Sequence, residues 1–406
     1  MANTFTPTDI YKNINKIIDQ QSGDSVSPTA TSGMVSVGQA AQIYGYENTL
    51  NKLSAAMGRV LTAVRPYKGG FSLVESSNEE YGQIARKISY FYDGYEASEN
   101  YNTNLSDTQL KDGSSVDMYK IRKRYPLEIQ FGGVKVLEKS WTRFLNQLKI
   151  SFSSASQFDA FYRGEATQMA NEIQMMKEAE NRALVLNAIG ATYQTGGDKQ
   201  KINMVKEFNA SHGTTYTTAE LLGSHLKEFM QFFVSLIRFY SDLLETNCDM
   251  FHLTPVKTND AGETLRLLRH TPKNCQRLLL SSQIWHQAEA SVMSEVFNDQ
   301  YLKLDQAEKI PFWQSPMSPN EVNVVPNILD TTTGLSKDGE ATSIAVVLGL
   351  LYDKDALSVT YRQEDVLTTP VNAKGVYYNT VHHWAKDYRY DATENMILFY
   401  MKDDEV

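Results

Sequence analysis

Apolar positions change period several times along the chain, and each period predicts an element. In "QIARKISYFY", Ile84, Ile88, Tyr90 and Tyr92 alternate with Ala85, Lys87 and Ser89, the two-residue period of a strand. "YKIRKRYPLEIQF" alternates likewise, with Tyr119, Ile121, Tyr125, Leu127, Ile129 and Phe131 on one face and Lys120, Arg122 and Arg124 on the other. Between them lies the polar stretch "DGYEASENYNTNLSDTQLKDGSSVD", too long for a tight turn. The pair therefore predicts a long two-stranded projection. At about 3.3 Å per residue, a dozen residues of strand reach roughly 40 Å, farther than a compact domain needs.

The period then becomes helical. "SASQFDAFYRGEATQMANEIQMMKEAENRALVLNAIG" sets Phe158, Phe161, Met169, Ile173, Met176, Ala183 and Leu186 along one stripe, with Gly190 as the expected stop. A helix over about 156–189 is roughly 50 Å long and would act as a spine. Thr217 and Glu220 form a capping box ahead of "AELLGSHLKEFMQFFVSLIRFYSDLL", a helix apolar on most of its surface. "RLLLSS" reads as a strand, "QIWHQAEASVMSEVFN" as a helix, and "NEVNVVPNIL" and "TSIAVVLGLLYD" as further strands, which together mark a second α/β unit. "GVYYNTVHHWAKDYRY" reads as a strand that turns at "DATEN" and closes a terminal hairpin on "MILFYM".

The N-terminal region is different in kind. "TDIYKNINKIID" is a short amphipathic stretch, and "QQSGDSVSPTATSG" after it buries little apolar surface and reads as an arm or linker. Leu50, Leu53, Met57 and Leu61, three or four apart, predict a helix before residue 64.

Composition narrows the function. Of 406 residues, 42% are hydrophobic and 21% charged, as in a folded chain. The net charge of -9 argues against a protein whose main task is gripping nucleic acid, which needs a basic face. Cys248 and Cys275 lack paired spacing, so neither a disulfide framework nor a zinc knuckle is expected. No apolar run approaches the 18 residues of a membrane span, and no secretory leader is read at the start, so synthesis inside the cell is expected. The 23 tyrosines stand out, because tyrosine is enriched at protein interfaces.

Candidate chemistry is thin. His382 and His383 are adjacent on a predicted strand and so point to opposite faces, which denies them a shared metal or proton. His286 and Glu289 lie three apart on a predicted helix, with no third ligand nearby. "GATYQTGGDK" has the wrong spacing for a phosphate loop. No catalytic residue, metal ligand or cofactor is assigned. Charge is segregated on the hairpin instead: residues 93–117 hold six acids and one lysine, while four bases crowd into 120–124. The expected contacts to another subunit are Tyr119, Lys120, Ile121, Arg122, Lys123, Arg124, Tyr125 and Leu127, bases to carboxylates and apolar residues to an apolar surface.

The order of arm, two-stranded projection, long helix, α/β domain and final hairpin resembles the major capsid protein of tailed bacteriophages, the Hong Kong 97 fold. "GQIARKISYFYDGYE", "LKISFSSASQFDAFYRGE", "LLYDKDAL" and "NAKGVYYNTVHHWAKDYRYDATEN" look like segments of major head proteins from small short-tailed phages. The resemblance implies an α+β chain: an N-terminal arm over 1–60 and an extended loop region over 61–132, with its hairpin at about 82–132. A peripheral domain over 133–215 and 366–406 carries the spine helix, and an axial domain covers 216–365. It further implies a non-enzymatic subunit that forms pentamers and hexamers of an icosahedral head around double-stranded DNA, without sequence-specific contacts. Scaffolding and portal proteins are the implied partners, no membrane is involved, and the virion is assembled in the bacterial cytoplasm. Two other readings fit the residues less well: an intracellular α/β enzyme with a histidine site, and a tail or connector protein.

Overall fold

The computed structural model of the chain describes residues 65–76, 84–92, 115, 117–119, 121, 123–133, 135–144, 155–260, 262–291 and 307–403. The arm, the helix expected before residue 64 and nearly all of the acidic hairpin tip lie outside them. The chain divides into two compact units, one drawing on Met1–Lys68, Glu138–Met176 and Asp365–His383, the other on Gly69–Leu137, Lys177–Glu364 and Trp384–Val406.

The second unit is built on a five-stranded sheet of β5 (Lys201–Asn203), β15 (Met396–Met401), β12 (Val346–Asp353), β6 (Gln276–Ser281) and β7 (Ala307–Ile310), in that spatial order. Central β12 runs antiparallel to both neighbours and is buried from Val347 to Asp353. Burial on both faces is why "VVLGLLYD" is a continuous apolar run rather than an alternating one. At Gly349 an added Cβ would lie 2.5 Å from Leu280 Cδ2 and 2.7 Å from the Leu279 carbonyl oxygen. Glycine there lets the strands approach. Helices α2 (Met204–His212), α3 (Thr218–Leu221), α4 (Leu226–Leu243) and α5 (Ser282–Ser291) accompany the sheet. From α4, the buried Phe229, Phe233, Ile237 and Tyr240 join Leu280, Leu348, Leu351 and Phe399 in one cluster. The Phe233 and Tyr240 rings meet Phe399 at centroid distances of 5.8 and 6.0 Å. Each such side chain contributes roughly 1.5–3 kcal/mol by leaving water.

Five expectations need correction. The long helix, α1, spans Ala155–Thr195 and passes through Gly190 instead of stopping there. A Cβ at Gly190 would sit 2.5 Å from Val324 Cγ1 and 3.2 Å from Pro326, so glycine is used for close packing and not for termination. Nor does the buried stripe follow apolar residues alone. After Met169 and Ile173 it continues through Asn181, Leu184, Val185, Ala188 and Thr192, while Met176 and Ala183 are exposed. Asn181 is tolerated at 0% exposure because its amide donates to Glu75 (2.9 Å) and accepts from the Tyr361 hydroxyl (3.0 Å).

The capping box of Thr217 and Glu220 is present, but the helix it caps is only the four residues of α3. Glu220 O accepts from Gly223 N and His225 N, closing a turn before α4 starts at Leu226. The strand read from Tyr119 begins only at Pro126, as β3 (Pro126–Gly132). Finally, the C-terminal strands form no hairpin. β14 (Tyr377–Tyr390) belongs to a sheet ordered β1 (Glu75–Ser76), β13 (Leu357–Thr368), β14, β4 (Lys135–Phe144), whereas β15 belongs to the five-stranded sheet. The "DATEN" turn thus moves the chain between sheets.

In the first unit, β4 is an element the pattern did not predict. Lys139 and Arg143 occupy its inward positions, paired with Glu172 (2.9 Å) and Glu165 (3.1 Å) from α1. Charge at those positions hides the alternation. Asn171 of the same helix holds the entering chain, accepting from Tyr67 N (2.8 Å) and donating to Arg65 O (2.7 Å).

Candidate assembly surface

The predicted projection starts as an antiparallel ladder between β2 (Ile84–Tyr90) and β3, in a register that opposes Lys87 to Ile129, Ser89 to Leu127 and Tyr90 to Pro126. Strand periodicity gives it two faces. The face carrying Ala85, Lys87, Ser89, Leu127, Ile129 and Phe131 turns toward the second unit, of which it is part. The other carries Arg86, Ile88, Tyr90 and Glu128 and faces solvent, with Ile88 61% and Tyr90 63% exposed.

What fixes the root of the hairpin is polar. The Lys87 ammonium meets the carboxylates of Asp391 and Glu394 in the "DATEN" turn. The Arg269 guanidinium donates to Thr393 O (3.1 Å) and Ser89 Oγ (2.8 Å) and lies 3.6 Å from Glu394. Asp391 accepts from Thr393 N (2.9 Å) and its hydroxyl (2.7 Å), and Asn395 donates to Thr271 Oγ1 (3.1 Å). Thr271 donates in turn to Asp353 (2.7 Å). His252 closes the network, with Nδ1 3.1 Å from Asn395 Oδ1 and Nε2 2.9 Å from Leu267 O. Burial raises the Glu394 carboxyl above its ordinary range, against the opposing pull of Lys87 and Arg269. It lowers the His252 imidazole, against the opposing pull of Asn395 Oδ1 and Leu267 O on the two ring nitrogens.

Just beyond the ladder, Phe91 is buried with Leu265 and Leu267, and Tyr125 and Leu127 pack against that cluster. Tyr92 N donates to Arg266 O (2.7 Å), and Asp260 N donates to the Tyr125 hydroxyl (3.2 Å).

Of the expected contact residues, Tyr119 and Ile121 stand 85% and 93% exposed. Lys123 and Arg124 are exposed too, with Lys123 3.3 Å from Asp260 of its own chain. Tyr125 and Leu127 are half-buried against the chain's own Phe91 cluster, and Lys120 and Arg122 lie outside the described residues. The outward Ile88 and Tyr90 were visible in the alternation, but nothing in it said which face turns out. Lys87 suggested the wrong face, because its neutralising partners lie some 300 residues away.

The histidines behave as strand residues. His382 and His383 are consecutive in β14, and His383 Nδ1 lies 3.9 Å from Glu138. His286 is exposed on α5. Among the described residues, no three His, Cys, Asp or Glu side chains are grouped to hold a metal, and no helix is long and apolar enough to cross a membrane.

No family model matches the sequence, and no curated protein matches it. Solved structures do. A chain of the capsid structure of Staphylococcus phage Andhra superposes with a TM-score of 0.56 at 10% identity, covering 85% of this chain and 87% of that one. A chain from the structure of head fiber and inner core protein gp22 of native bacteriophage P68 gives 0.53 at 10% identity, with the same coverage. The chain has a phage capsid fold, as the resemblance read from the sequence implied.

Proposed function

We propose that this chain is the major capsid protein of a tailed phage, which assembles with copies of itself into pentamers and hexamers of an icosahedral head around double-stranded DNA. The observation that carries this reading is the likeness to the Andhra capsid chain over 85% of the length, which spans both compact units. Residues 133–215 and 366–406 would serve as the peripheral domain and 216–365 as the axial domain, with β5 and β15 lent by the former to the five-stranded sheet of the latter. The hairpin is the arm laid on a neighbour: its root is held by Lys87 and Arg269, and its exposed Tyr119 and Ile121 are free to be covered. Lys120, Arg122, Lys123 and Arg124 add rim charge pairs worth roughly 0–1 kcal/mol each. The apolar contacts weigh more, at about 25 cal/mol per Å² buried. Scaffolding and portal proteins complete the assembly in the host cytoplasm, the DNA is enclosed without base contacts, and the product is the virion. No catalytic step is part of the role.

Electron microscopy of the expressed chain tests this directly, closed shells being the expected product. Tyr119→Ser with Ile121→Ser should abolish shells while leaving the melting temperature of the subunit unchanged, because both side chains already face solvent. Normal shells from that variant would remove the hairpin from the interface.

A further inference from the structure

The capsid reading gives no role to residues 65–76, yet this short stretch is fastened along its whole length. At its start, Asn171 accepts from Tyr67 N (2.8 Å) and donates to Arg65 O (2.7 Å). Further on, the Glu308 carboxylate accepts from Ser72 N (3.1 Å), Ser72 Oγ (3.3 Å) and Leu73 N (2.9 Å). Val74 N donates to Phe71 O (3.3 Å) and Glu75 N to Ser72 O, while the Glu75 carboxylate accepts from the Asn181 amide (2.9 Å). Phe71 and Val74 are each 1% exposed. The chain passes from the first unit to the second at Lys68–Gly69, so the Asn171 and Glu308 clasps each lie within one unit.

Two features oppose this fastening. Phe71 holds φ 62° and ψ 34°, a left-handed conformation that a bulky residue keeps only where its surroundings force it. The second feature is Tyr352. β6 opposes Arg277 to Tyr352 of β12 and Leu279 to Glu308 of β7, so Tyr352 and Glu308 share one face of the five-stranded sheet. The Tyr352 hydroxyl is buried with no hydrogen-bond partner among the described residues, a cost that water reaching this face would remove. Regular pairing is confined to the two-residue β1 ladder, Glu75 to Val359 and Ser76 to Thr360. A segment held by a few polar clasps against backbone strain opens as a unit before the core does.

We infer that residues 65–76 are a releasable strap, latched by Asn171 at one end and Glu308 at the other, that sets how far the preceding arm reaches. Its purpose rests on the capsid reading; the latch itself does not. Latched, the arm is tethered at Arg65. Released, residues 65–83 add up to roughly 65 Å of extended chain ahead of β2. Lys87 meanwhile still holds β2 to the "DATEN" turn. One chain can thereby meet neighbours at different distances without moving the root of its hairpin.

The test is hydrogen exchange on the unassembled full-length chain. In Glu308→Ala, exchange at residues 72–75 should quicken at least tenfold, while residues 84–90 and 346–353 keep the parent rates. Glu308→Gln retains one acceptor oxygen and should quicken it less. Unchanged exchange at 72–75 in the alanine variant, equal acceleration at 346–353, or the reverse order of the two variants would overturn the inference. A second arm reads reach. Nitroxide labels at Arg65→Cys and Glu138→Cys, with Cys248→Ser and Cys275→Ser, should give a narrow distance distribution that broadens once Asn171→Ala and Glu308→Ala are both added. A distribution that stays narrow would equally overturn it. Neither measurement uses shells, so these failures leave the capsid reading standing. Absence of shells from the parent chain would sink that reading and with it the strap's purpose, whatever the exchange rates.

Discussion

Around α4, Phe229, Phe233 and Ile237 pack on sheet residues with no polar partner to satisfy, whereas at the hairpin root the buried Asp391 and Glu394 are neutralised by the half-buried Lys87 and Arg269. Both regions are held against the rest of the chain, but for different reasons. Apolar packing is non-directional and tolerates neighbours that merely fit, so it makes a stable body. A buried ion network is close to neutral in net stability, because desolvation offsets most of the attraction. What it adds is geometry: Lys87 meets both carboxylates where β2 lies against the "DATEN" turn, which fastens the base of the hairpin there.

The sharpest contrast comes from breaking each region once. Phe233→Ala removes a fully buried ring at the centre of the cluster and should cost about 3–5 kcal/mol, unfolding the subunit as a whole in a denaturant titration. Lys87→Met should behave differently. It leaves Glu394 facing Arg269 and Asp391 accepting from Thr393, so the loss should be smaller than the 3–5 kcal/mol typical of a broken buried pair. It should also be local. Hydrogen exchange is expected to quicken in residues 84–92 while β12 keeps its protection. Uniform loss of protection across both would mean that the root is part of the core and not a separate fastening.

The same contrast explains what the sequence revealed. Where a strand or helix is held by apolar contacts, its period was legible: β12, β6, α4 and the alternation of β2 and β3 were all read from it. Where polar residues do the holding, the period was masked. β4 was missed because Lys139 and Arg143 sit at its inward positions, and the stripe of α1 was misdrawn past Ile173 because Asn181 and Thr192 continue it. The switch of sheets at "DATEN" had no local signal, since its partners Lys87, His252, Arg269 and Asp353 are scattered along the chain. The alternation of Tyr119 and Ile121 with charged residues reads as a face to be covered, and within this chain both side chains stay exposed. The inward turn of Tyr125 and Leu127 depended on Leu265 and Leu267, which no spacing rule connects to them.

Acid should separate the two regions by a smaller margin. His252 is buried in the root network, and burial lowers its pKa below the ordinary 6.5. The unfolded chain therefore binds a proton more readily than the folded one once pH drops below about 6.5, and folding stability must fall across the window down to the lowered value. Above that window the contribution is fully present. One titrating group limits the slope to about 1.4 kcal/mol per pH unit. Glu394 works in the opposite direction: its raised pKa means the folded state takes up a proton first, so acidification between its raised value and the ordinary carboxylate range favours folding. His252→Gln removes the first effect and keeps the second. Denaturant midpoints measured from pH 8 to 5 should accordingly decline for the parent chain below about 6.5 and stay flat or rise slightly for the variant. In hydrogen exchange, the parent's loss should appear first at residues 84–92 and 391–395, with the α4 cluster unaffected until the whole subunit unfolds. Parallel pH profiles for parent and variant would show that His252 carries no such linkage and that the root is as indifferent to protons as the core.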